Sequence, residues 1–105
     1  MTVEEVVERG GEADDVLRAV VEALHRETGG WVGIAFVEGD RLELGPSAGG
    51  EAPIDVARQP VEWSGRKVAE LQTAGGDPAR LARVAGLIAP YCLVGWDTGG
   101  EAWSP

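Results

Sequence analysis

The sequence predicts an α+β protein: one antiparallel sheet of four to five strands with two main helices laid on one face. Three observations predict it. Residues 14–28 and 77–89 carry apolar side chains at helical spacing. Residues 31–45 and 60–73 read as strand pairs, each broken by a Gly-bearing turn. A length of 105 residues is one domain's worth of chain. The expected organisation is a single domain over 1–105, with an N-terminal helical arm at 1–13 and a C-terminal tail at 92–105.

In chain order, Thr2 with Glu5 three residues on forms a candidate capping box for a short acidic helix. Val3, Val6 and Val7 share one side of it, and Gly10–Gly11 ends it. The next helix starts at Asp14 or Asp15, acids at the positive end of its dipole. Leu17, Val20, Val21 and Leu24 make its apolar stripe, and Thr28–Gly29–Gly30 stops it. The stretch WVGIAFVEGDRLELG then reads as strands 31–37 and 41–45 around a two-residue turn at Gly39–Asp40. Strand 31–37 has no polar face, the mark of a central strand covered on both sides. Strand 41–45 alternates Leu42 and Leu44 against Arg41 and Glu43, as a half-exposed edge strand does.

Residues 45–59 form a Gly/Pro/Ala-rich connection without a clear period. Ile54 and Val56 are expected to lay part of it on the sheet, as a short strand or a helical turn. A second hairpin covers 60–63 and 67–73, turning at Ser64–Gly65. Asp77–Pro78 is a strong helix start, a capping side chain followed by Pro at the first helical position. Leu81, Val84, Ala85, Leu87 and Ile88 make the stripe. Pro90 costs about 3 kcal/mol inside a helix, so the expectation is a kink near Gly86 or an end around Ala89. The tail is either a short strand at 92–96 or an irregular cover. The helices are expected to cover the sheet face holding Leu42, Leu44, Val61, Trp63, Ala69 and Leu71. Glu43, Glu62, Glu70 and Gln72 are expected on the other face, with the loop 46–59 as its cover.

The charge balance is −9, from 18 acids and 9 bases. Nucleic acid and anionic membrane surfaces demand clustered Lys and Arg, so neither is an expected partner. The apolar share of 44% is ordinary for a globular protein, and no run approaches a membrane span. The acidic start is unlike a signal peptide, so a cytoplasmic location is expected. One cysteine, Cys92, and one histidine, His25, are too few for a zinc centre or a Cys–His catalytic site. No cofactor is expected.

The helix VLRAVVEALHRETGG running into WVGIAFVEGDRLELGPSAG, then PVEWSGRKVAELQTAGG and RLARVAGLIAPY, resembles the GAF family of small sensory domains. The likeness is one of order and pattern over residues 14–91. Profilin-like, PAS and Roadblock-type domains have related helix–sheet layouts. The resemblance implies a non-catalytic regulatory domain that binds a small ligand or a protein partner. It also implies a homodimer, since GAF domains often pair through terminal helices. GAF domains wall their ligand pocket with helices and long loops between the second strand and the later ones. Only residues 46–59 stand there in this chain, so any pocket is expected to be small or absent.

The chemistry known in the family finds little footing. Methionine sulfoxide reduction works through cysteine thiolates and a resolving partner, whereas Cys92 is alone and follows the last helix. Bilin attachment demands a larger pocket, and carboxylates on the facing strands oppose a cyclic nucleotide. Glu43, Glu62 and Glu70 are the residue types of a general acid–base pair or a hard-cation site, but also of a solvated sheet face. His25 reads as a surface residue at a helix C-terminus. The paired glycines punctuate turns and none opens a phosphate loop. The expected ligand site is therefore shallow, built from Ile34, Phe36, Glu43 and Glu70. The expected dimer interface uses Val3 and Val7 of the arm with Trp96 and Trp103 of the tail. Tryptophan is enriched at protein contacts, and the tail tryptophans suit equally a plug for the domain's own sheet. A homodimeric interaction module without ligand is the alternative, and an enzyme the weakest.

Overall fold

Residue register decides which side chains of this sheet meet the helices. The computed structural model describes residues 1–93. The elements run α1 (Val3–Arg9), α2 (Ala13–Thr28), β1 (Val32–Glu38), β2 (Arg41–Ala48), β3 (Ala57–Trp63), β4 (Arg66–Thr73) and α3 (Pro78–Cys92). The strands form one antiparallel sheet in the order β2-β1-β4-β3. The fold is α+β, with one open four-stranded sheet and three helices.

Local chemistry sets the element ends. The Thr2 hydroxyl accepts from the Glu5 backbone while the Glu5 carboxylate accepts from the Thr2 backbone, completing the capping box. Helix α2 ends on Gly29 in the left-handed conformation. Asp77 caps α3 through the Arg80 backbone N–H, with Pro78 in its first turn. The β3–β4 turn places Ser64 (φ 54°) and Gly65 (φ 79°) in the left-handed region, the pattern of a primed hairpin turn.

The core lies between the helices and one sheet face. Leu17, Val20, Val21 and Leu24 of α2 and Leu81, Val84, Ala85 and Ile88 of α3 meet Val32, Ile34, Phe36, Val61, Ala69 and Leu71. Val3 and Val6 bring α1 into the same cluster. The arm is therefore part of the core rather than a free projection.

Several expectations are corrected. Strand β2 runs on to Ala48 and β3 begins at Ala57, so the connection shrinks to residues 49–56. Ile54, expected on the sheet, is 99% exposed. Helix α3 continues through Pro90 to Cys92. Pro90 and Gly86, the residue whose carbonyl its ring crowds, both lie on the exposed side of the helix, away from the core.

Strand β2 turns the opposite face to the helices from the one expected. Gly33 pairs with Ser47 and Ala35 with Leu44, so Ile34 alone faces both Gly45 and Pro46. This bulge shifts the alternation by one residue, and such a shift exchanges the faces of everything beyond it. Leu42 and Leu44 consequently join Val37 and Ala35 on the face away from the helices. Glu43, opposite Phe36, moves to the helix side of the sheet edge, where Arg41 bonds it at 2.8 Å. Trp63, expected in the core, is 43% exposed because it closes β3 at the hairpin turn.

Candidate functional site

The outer sheet face, turned away from the core, has an apolar half and a polar half. One row crosses all four strands: Leu44 opposite Ala35, Ala35 opposite Glu70, Glu70 opposite Pro60. On the β2–β1 side, Leu44, Leu42 and Val37 are 52%, 37% and 37% exposed. The Trp31 indole packs against Gly33, where a Cβ would come within 2.5 Å of the ring. Trp31 and Ala35 are both buried yet outside the main core cluster. This half of the face thus has its own small apolar layer, topped by exposed leucine and valine.

The β4–β3 side is polar, and Glu70 is its centre. Its carboxylate is almost wholly buried and accepts from Arg58 at 2.7 Å, Lys67 at 2.9 Å and Gln72 at 2.7 Å. Burial pushes the Glu70 pKa up, but the bonds from Lys67, Gln72 and Arg58 together outweigh it and hold the carboxyl below its ordinary value. A buried carboxylate with three donors is a satisfied structural group. Glu62 is exposed on the same face, two residues beyond Pro60 and opposite Lys67, with no ionic partner among the described residues. Arg58, Glu62, Lys67 and Glu70 balance to zero, on a chain of −9.

The four residues expected in a shallow ligand site are not gathered. Ile34 and Phe36 are buried beneath the helices, Glu70 is on the opposite face, and Glu43 is exposed at the edge. Of the expected interface residues, Val3 is fully buried in its own core. Val7 packs against that core, and its carbonyl accepts from the Tyr91 hydroxyl at 3.4 Å. Trp96 and Trp103 lie outside the described residues. The apolar layer of Leu44, Leu42 and Val37 escaped the sequence reading; the signal for it is the Gly45–Pro46 pair, since Pro within a strand marks a bulge or an edge.

Other chemistry is sparse. Among the described residues, no three His, Cys, Asp or Glu side chains gather as a metal site, and no helix is long and apolar enough to cross a membrane. Cys92 is buried, which pushes its thiol pKa up to about 12 and suppresses the thiolate. His25 is half-buried rather than a free surface group; its Nδ1–H donates to the Gly30 carbonyl at 2.7 Å, tying the end of α2 to the start of β1. A cleft of about 170 Å³ opens where α3 ends over β1 and β4, lined by Phe36, Val68 and Cys92 together with Arg66 and Lys67. No family model, curated protein or solved structure matches the chain.

Proposed function

We propose that this chain is a non-catalytic, GAF-like regulatory domain that acts in the cytoplasm by docking a protein on the outer face of its sheet. In this reading the helices and sheet form the two-layer GAF/profilin-like layout, and the outer sheet face, exposed among the described residues, serves for binding. The observation that carries the proposal is the exposed trio Leu44, Leu42 and Val37, contiguous on one face and backed by buried Trp31 and Ala35. An apolar patch rimmed by polar groups is the usual mark of a protein contact. The cleft at the end of α3, about 170 Å³, falls below the roughly 300–1,000 Å³ of ordinary ligand pockets and supports no small-ligand reading of its own.

Photo-crosslinking tests this. A benzophenone amino acid in place of Leu44 is expected to give discrete protein adducts in cells, while the same group at exposed Ala82 on α3 gives none. Equal adducts from both positions, or none from position 44, would contradict the reading.

A further inference from the structure

We infer that the partner on the outer face is a second copy of this chain, stacked face to face about a two-fold axis along the row Leu44–Ala35–Glu70–Pro60. This rests on the docking role proposed above for that face, and the register supplies the geometry. On β3, Arg58 and Glu62 stand two residues either side of Pro60 and on its face. A two-fold axis along that row lays β3 antiparallel on its own copy, so each Arg58 meets the other copy's Glu62. One operation makes two identical ion pairs. Arg58 uses one guanidinium nitrogen on Glu70, leaving donors for a further carboxylate. Glu62 is exposed and lacks an ionic partner among the described residues.

The same axis sets Leu44 on Leu44 and brings Val37 over the Trp31–Gly33 platform of the other copy, apolar on apolar. Self-complementarity of this kind is what a two-fold interface demands. Sheets stack with strand directions within about 30° of each other, a tolerance the long Arg58 side chain absorbs. Glu70 meets its own copy on the axis with its charge already offset by three donors. A chain of net charge −9 repels itself over most of its surface, but this face is neutral. Neither edge strand is a regular template for strand addition. Pro60 removes an N–H from β3, and the bulge at Gly45–Pro46 distorts β2.

Sedimentation velocity on the full chain tests this by charge exchange. Wild type is expected to be a dimer, Arg58→Glu and Glu62→Arg each to self-associate at least about tenfold more weakly, and their equimolar mixture to recover wild-type association. Since Arg58→Glu also removes a Glu70 contact, Leu44→Glu gives an independent loss, and circular dichroism checks the fold of each variant. A monomeric wild type, single variants that dimerise normally, or a mixture that fails to recover would each overturn the inference. The adduct at position 44 separates the two ideas. A mass of twice the chain supports the second copy, whereas a different protein there overturns it and leaves the docking role standing.

Discussion

Glu4 on α1 is held by Arg80 on α3, 76 residues away, through both carboxylate oxygens, with the longer of the two bonds at 3.0 Å. The same guanidinium holds Glu27 of α2 at 2.8 Å, and Arg83 adds a 3.0 Å bond to Glu4. One side chain thus joins all three helices. Bonds from Arg80 and then Arg83 lower the Glu4 pKa from 4.5 to about 2, and Arg80 likewise lowers that of Glu27.

Arg80→Met is expected to cost about 1 kcal/mol, since a partly exposed ion network is screened and Glu4 and Glu27 repel once their shared cation is gone. Urea unfolding measures it. The pH dependence has a definite sign. A carboxyl depressed in the fold contributes fully above its ordinary pKa and loses that contribution as pH falls through the folded value. The wild-type urea midpoint should therefore drop between pH 4.5 and 2, and less steeply in Arg80→Met.

Gly33→Ala should dislodge an indole. A Cβ at Gly33 would lie 2.5 Å from the Trp31 ring, so the ring must leave its platform. The expected cost is about 1–3 kcal/mol, the range for overpacking. The indole N–H resonance of Trp31 should shift while those of the other tryptophans hold.

Ile88→Ala removes a fully buried side chain from the heart of α3. A loss of about 2–5 kcal/mol is expected, with the spread set by how far the site collapses. Ala82→Ser on the exposed side of the same helix should stay within about 0.5 kcal/mol.

Cys92 should resist thiol reagents in the native state at pH 8, because burial holds its pKa up near 12. Modification by a chromogenic disulfide should proceed only as fast as the protein opens, and should accelerate with sub-denaturing urea.

Helix starts and hairpins were legible because each is set by neighbours in sequence. Thr2 with Glu5, and Asp77 with Pro78, act over one turn, and the stripes of α2 and α3 follow a period that needs no partner. The faces of the sheet were legible only in part. The alternation of Leu42 and Leu44 says that they share a face; which face depends on the extra residue opposite Ile34, set by pairing with another strand. The Arg58 partner of Glu70 was hidden for the same reason, since it reaches the carboxylate only through the β3–β4 register. Trp63 has the residue type and phase of a core position, but its place at the strand end leaves it half in water. The Arg80 network was equally unreadable, because it joins helices distant in the chain.

The claim under all of this is that Leu44, Leu42 and Val37, exposed among the described residues, form a surface built for a protein contact. Methyl spectra of the full chain, recorded with a soluble paramagnetic agent, test it most directly. Dilute protein should show strong broadening of the Leu42, Leu44 and Val37 methyls, with Ile34 and Ile88 untouched, and concentrated protein should show the three protected. Leu44 methyls shielded at every dilution would contradict the account, whereas equal broadening at every concentration would overturn the self-association and leave the exposed surface standing.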